Sequence, residues 1–269
     1  MDPKGFKTFE KCSILFKFKE GENFNRRNTL SILRIKLKLL CEQNVESDTE
    51  IGQKGAFSKG LGSRRKERNM SEIIPRYEFR TFAQNFGMVE TKMRKLSKCE
   101  KIRESAEVYI VSASNNENNT KIRDIKMDIK ELVEKKQGLE RWNPRMKGEF
   151  PMKTEVIKNE VFPAFAVDEP EFSRDEYTLD QYLGEIIMPH PQLSAVSVFK
   201  RRFAFTINGC ITEIAQLLIN GAAIQTVAVE LEDIGAILKA KEILGLNEHE
   251  NVNYLLAIKR VIGMEPLPE

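Results

Sequence analysis

The sequence predicts an α+β protein: an antiparallel sheet curled into a β-barrel or tunnel, with flanking helices and C-terminal helices closing the domain. Three observations predict it. Strand-like stretches recur between residues 76 and 233, with charged residues at alternate positions and apolar residues between them. The turn-forming dipeptides Asn208-Gly209 and Asn220-Gly221 join the last three stretches into a meander. Two amphipathic helix patterns then end the chain, 234–244 stopped by Gly245 and 251–262 stopped by Gly263. A sandwich with a solvated outer face also alternates in this way. Periodicity alone does not distinguish the inside of a barrel from the outside of a sheet.

Composition narrows the class. The 269 residues allow one large domain or two smaller ones, and 43 Lys+Arg nearly balance 40 Asp+Glu at a net charge of +3. Apolar runs are too short to span a bilayer, and no hydrophobic signal segment opens the sequence, so no membrane partner is expected. Cys12, Cys41, Cys99 and Cys210 are scattered, with no Cys-x-x-Cys or Cys/His cluster. That argues against a disulfide framework or a zinc site and fits a reducing cytoplasm. His190, between two prolines, and His249 are the only histidines, which leaves histidine-led catalysis little to draw on.

The charge is uneven. Residues 1–69 form a basic N-terminal extension with 16 Lys+Arg against 9 Asp+Glu. One reading is a basic arm for nucleic acid or an acidic surface. The other comes from the genetic code: Ser63-Arg64-Arg65-Lys66-Glu67-Arg68 can be written as an almost pure purine tract just before the Met70 codon, the pattern of a bacterial ribosome-binding site. The second reading places the start at Met70 and makes 70–269 the functional domain.

From there the elements follow in order. Residues 76–82 alternate, with Tyr77, Phe79 and Thr81 on one face and Arg76, Glu78, Arg80 and Phe82 on the other. Residues 90–106 are highly charged and read as helix or loop. A short strand over 107–112 is closed by the turn-rich 114–119. Two further strands, 120–124 and 126–132, place Lys121 and Arg123, then Lys126, Asp128 and Lys130, on single faces. Trp142 reads as a packing residue. Residues 150–172, rich in Pro and Phe, read as an irregular cover, and 175–187 carry helical spacing. In the long strand 197–207, Lys200 and Arg202 share one face, and the return strand 210–216 carries Glu213. The strand 225–233 sets Thr226, Ala228, Glu230 and Glu232 opposite Val227, Val229 and Leu231. Two carboxylates in a row on one face repel, so that face looks toward water, a cation or basic side chains.

If these faces line a lumen, its inventory is Glu78, Glu213, Glu230 and Glu232 with Arg80, Lys121, Arg123, Lys130, Lys200 and Arg202. Guanidinium and ammonium groups suit a phosphate chain, and carboxylates suit a hard divalent ion bridging to it. In its order of motifs the chain from residue 74 to 263 resembles the CYTH superfamily, the triphosphate tunnel metalloenzymes. The opening Glu-x-Glu-x-Lys of that family is matched by Arg76, Glu78 and Arg80, with Arg76 in place of a carboxylate. Arg123 and Lys130 match its basic strands, Lys200 and Arg202 its later basic pair, Glu213 its isolated acid, and Glu230 and Glu232 its Glu-x-Glu pair. The resemblance implies Mg2+ or Mn2+ on the four glutamates, a triphosphate-containing small molecule on the basic residues, and attack by metal-bound water. A homodimer is compatible with it, and nucleic acid is not an expected partner. Two alternatives stay open: an adenylate cyclase of the same fold, and a non-catalytic tunnel that binds polyphosphate or a nucleotide.

Overall fold

The computed structural model describes residues 75–267. The basic segment and the division at Met70 lie outside the described residues. Strand β1 (Tyr77–Ala83) is followed by helix α1 (Gly87–Leu96). Then come β2 (Lys101–Ser112), β3 (Asn118–Arg123), β4 (Lys126–Lys136) and β5 (Leu139–Glu149). A two-stranded ribbon, β6 (Met152–Lys153) with β7 (Glu176–Tyr177), and helical turns over 154–164 and 179–187 form an external cover. The chain ends with β8 (Leu193–Ile207), β9 (Cys210–Ile219), β10 (Ala222–Leu231), α2 (Ile234–Leu244) and α3 (Tyr254–Ile262).

Eight strands close into an antiparallel barrel in the order β1-β10-β9-β8-β2-β3-β4-β5. The tight hairpins are local in origin. Asn208-Gly209 and Asn220-Gly221 both take positive φ, as two-residue turns of the favoured twist require. Closure between β1 and β5 is short, limited to Tyr77↔Arg141 and Glu78↔Glu140. Beyond it the segment before α3 takes over the seam: the Val252 amide donates to the Arg80 carbonyl at 2.6 Å, and the Arg80 amide donates to Asn251 Oδ1 at 2.8 Å.

Two stretches differ from expectation. Residues 101–106, expected as helix or loop, are strand, paired with β8 from Lys101↔Ala204 to Ala106↔Phe199. Their dense charge hides the alternation. Strand β5, where the sequence reading assigned only a packing role to Trp142, contains Pro144, which lacks an amide hydrogen for the ladder. Here Pro144 faces Lys130 beside a register shift in the β4–β5 ladder, where irregular pairing tolerates it.

The alternating faces separate into three apolar layers. Outside the barrel, Phe79, Phe203, Phe205, Ile214, Val227 and Val229 pack under α1 and α2. Also outside, Ile110, Ile122, Met127 and Ile129 pack under the 150–193 cover. The third cluster has the opposite parity: Tyr109, Val111, Val196, Val198, Leu217 and Ile219 pack with Tyr254, Leu255 and Ile258 of α3. These residues share their strand faces with Glu107, Lys200 and Glu213, so α3 fills one end of the lumen. The other end is charged. Among the described residues no helix is long and apolar enough to cross a membrane.

Candidate functional site

The lumen has an acidic wall and a basic wall, and the register explains both. On the acidic side Glu78 of β1 lies directly opposite Glu230 of β10, and Ala228 lies between Arg80 and Glu213 on the flanking strands. The small Ala228 side chain lets its two neighbours approach. Arg80, 6% exposed, collects all three acids. Its Nε donates to Glu78 Oε1, its Nη1 lies 3.8 Å from Glu213 Oε1, and its Nη2 lies 3.8 Å from Glu230 Oε1. The guanidinium carbon also sits 4.7 Å from the centre of the Tyr254 ring. Burial works against the Arg80 charge, but Glu78, Glu213 and Glu230 outweigh it and hold the group protonated. Burial, and then the neighbouring Glu78 charge, push the Glu230 carboxyl up to about 7 against the pull of Arg80.

On the basic side the hub is Glu107, a residue that sequence reasoning missed as a site residue. It is 2% exposed. Lys200 Nζ lies 2.9 Å from its Oε2, and Arg123 Nη1 lies 3.6 Å from its Oε1. Ser105 Oγ and Tyr109 OH each donate to it at 3.2 Å. Burial raises the Glu107 carboxyl, but Lys200, Lys121 and Arg202 overcome this and set it at about 2. Lys200 Nζ donates to Tyr109 OH at 2.6 Å and lies 3.7 Å from the centre of the Tyr254 ring. Burial is the main force that brings the Lys200 ammonium down to about 7, with Glu107 opposing and Lys121 adding. Burial also lowers Lys121, again against Glu107. The signal that could have found Glu107 is its parity: it shares a strand face with Tyr109 and Val111, with apolar Val108 and Ile110 turned the other way.

Toward the open end the basic wall becomes less balanced. Arg103 of β2 and Arg202 of β8 are direct cross-strand partners, an arrangement of like charges that is unfavourable by itself. Arg202 Nη2 donates to Ser105 Oγ at 3.3 Å, while its buried Nε has no hydrogen-bond partner among the described residues. Arg103, Arg123 and Arg202 line one cavity of about 730 Å3 with Lys101, Ser105 and Asp124. That cavity opens where β2 runs past the end of β3. Pairing between them covers only Val108 to Ile110 of β2. The sequence reading did not single out Arg103.

The predicted residues are thus mostly brought together. Glu78, Arg80, Glu213 and Glu230 make one cluster, and Lys121, Arg123, Lys200 and Arg202 surround Glu107. Lys130 is exposed on β4, and its charge reaches both Lys121 and Glu230. Glu232 is separate: it lies just past the end of β10, exposed, in the bend before α2. Arg76 is exposed and precedes β1. Tyr254, also missed, reaches the lumen from α3 and touches both Arg80 and Lys200.

The donor chemistry of Glu78, Glu213 and Glu230 would suit a hard divalent ion, but their arrangement does not. All three are turned on Arg80, and among the described residues no three His, Cys, Asp or Glu groups are gathered to hold a metal.

A closed antiparallel barrel with a charged lumen is the architecture that the CYTH resemblance implies. Solved structures match the chain at low identity. They include a conserved hypothetical protein of Pyrococcus furiosus, at 13% identity and TM-score 0.40, over 67% of this chain and 98% of that one. A candidate adenylyl cyclase of Hippeastrum with a dominant triphosphatase activity matches at 10% identity and TM-score 0.41, over 72% of this chain and 98% of that one. A candidate adenylate cyclase of Bacillus halodurans matches at 9% identity and TM-score 0.41, over 66% and 93%. None of these likenesses extends to function. No family model matches the chain, and no curated protein matches it closely enough to count as a relative.

Proposed function

We propose that the lumen binds the phosphate chain of a triphosphate-containing small molecule, inorganic or organic. One contrast carries the reading. The opposed acids Glu78 and Glu230 have a built-in counter-ion in Arg80, whereas among the described residues no carboxylate forms an ion pair with the opposed Arg103 and Arg202, which line a cavity with Arg123, Glu104 and Asp124. Bringing like charges face to face, as with exposed Arg103 and half-buried Arg202, is unfavourable unless an anion joins them. A donor such as Arg202 Nε, buried without an acceptor, asks for the same partner. A phosphate chain offers several charged oxygens in the fork geometry that guanidinium groups match. Lys200 and Lys121 lie deeper along the same wall and would meet its inner end.

Hydrolysis of that chain with Mg2+ or Mn2+ is the further step implied by the resemblance. It needs Glu78, Glu213, Glu230 and Glu232 to hold an ion, and these do not converge on one. Binding is therefore the step that the arrangement supports.

The test is calorimetric titration with tripolyphosphate, ATP and thiamine triphosphate, beside phosphate-release assays with Mg2+ or Mn2+. Lys200→Ala is expected to weaken tripolyphosphate binding by about 2–5 kcal/mol without unfolding the protein, as for loss of one partner in a buried charged contact. Equal affinity in wild type and variant would remove the basic wall as the binding site. Metal-dependent turnover that disappears in Glu230→Gln/Glu232→Gln would establish the hydrolase instead.

A further inference from the structure

Arg80 is held more completely than a residue waiting for a substrate needs to be. Each of its three guanidinium nitrogens addresses a different carboxylate: Nε that of Glu78, Nη1 that of Glu213 at 3.8 Å, and Nη2 that of Glu230 at 3.8 Å. Nη1 also donates to Thr226 Oγ1 at 3.4 Å, and the Tyr254 ring closes one face of the group. Its backbone is fastened on both sides, by Asn251 Oδ1 to the amide and by the Val252 amide to the carbonyl. The same segment leads into α3, which fills the lumen behind it. A side chain fixed at both ends in this way would need the seam and the plug to rearrange before it could leave.

A divalent ion between three carboxylates draws their oxygens to about 2.0–2.6 Å from one centre. Here the centre is taken by a planar cation that meets its partners at its own, longer spacing. The two occupants exclude each other. We propose that Arg80 is a resident cation: its guanidinium occupies the Glu78–Glu213–Glu230 cluster in place of a metal ion, and the lumen takes its anion without one. The first half of this statement concerns the acidic wall alone. The second half rests on the phosphate-chain reading above.

The deciding experiment uses full-length protein and Mn2+ alone, with free ion followed by electron paramagnetic resonance and bound ion by calorimetry. Wild type and Glu230→Gln are expected to give coincident titrations, because no ion occupies the cluster in either. Arg80→Gln removes the charge and keeps a polar side chain. It is expected to gain a Mn2+ site at least tenfold tighter than any in wild type, and Arg80→Gln/Glu230→Gln is expected to lose it again. A Mn2+ ion held by wild type and released by Glu230→Gln overturns the proposal. So does a folded Arg80→Gln that gains no site. Should Arg80→Gln fail to fold, the wild-type and Glu230→Gln pair still decides.

A second arm measures tripolyphosphate binding in EDTA. Binding retained there supports the metal-free anion site, and binding that appears only when Mn2+ is restored overturns it. Absence of tripolyphosphate binding in both conditions would remove the proposed function, while the Mn2+ titrations, which use no phosphate, would still decide the role of Arg80.

Discussion

Lys200 and Glu107 show how one buried pair can set both ligand binding and stability. With its ammonium brought down to about 7, Lys200 in the free protein is part-charged near neutrality. An anion binds the protonated form, so tripolyphosphate affinity should be highest below pH 7 and fall as pH rises through it. Glu230, pushed up to about 7, gains negative charge over the same range and acts in the same direction. Calorimetry at pH 6, 7 and 8 in buffers of different ionisation enthalpy should show the fall and proton uptake on binding. Lys200→Arg, which stays charged, should reduce the fall to the part contributed by Glu230. An affinity independent of pH in wild type would place the anion elsewhere.

Glu107 titrates the other way. Its carboxyl is held at about 2 against an ordinary value of 4.5, so the folded state favours the ionised form. The stability from that shift is fully present above pH 4.5 and is lost as pH falls toward 2. Glu107→Gln should remove this acid dependence. It should also cost about 3–5 kcal/mol at neutral pH, because Lys200 is left buried, and Lys121 half-buried, without their counter-ion. Urea denaturation at pH 7 and pH 3 measures both.

Among the elements, the β3–β4 hairpin is the one built against its own local preference. Its two turn residues, Asp124 at φ 48° and Ile125 at φ 45°, both occupy the left-handed region. For a β-branched residue that conformation costs about 1–2 kcal/mol. Ile125 is 48% exposed, so little burial offsets the strain. Ile125→Gly should therefore stabilise the fold by about 0.5–1 kcal/mol, once the extra chain entropy of glycine is counted. A thermal melt checks it, and an unchanged or lower midpoint would mean that burial of the Ile125 side chain outweighs the strain. The Asn-Gly turns at 208–209 and 220–221 carry no such conflict, and they were legible from the sequence for that reason. Residues 101–106 were not, because the strand there is specified by its pairing with β8.

For the molecule as a whole, the decisive joint is between α3 and the barrel. Lys259 of α3 is fully buried, and its Nζ donates to the Ala113 carbonyl at 3.2 Å, the Asn115 carbonyl at 2.8 Å and Asn116 Oδ1 at 2.8 Å. These contacts tie the last helix to the loop between β2 and β3. Lys259→Met keeps most of the volume but leaves those acceptors unpaired. It should cost about 1–3 kcal/mol and raise amide hydrogen exchange in α3 before it does so in β8 and β9. Uniform loss of protection would instead mean that α3 and the barrel open as one unit.

What the sequence by itself determined is which residues share a face. Period two places Glu78 with Arg80, Lys200 with Arg202, and Glu230 with Ala228 wherever the strands go, because successive side chains of a strand point to opposite sides. Hairpin turns and helix stops were local in the same sense. Tertiary structure decided which face became the lumen, that Glu230 is inside while Glu232, two residues on, is past the strand end and exposed, and that Glu107 is the hub of the basic wall. It also decided that Arg80 stands between three acids. Those outcomes depend on register across strands far apart in the chain and on α3 filling one end. The energies that set them come from burial and charge between non-neighbours, which leave no periodic trace in the sequence.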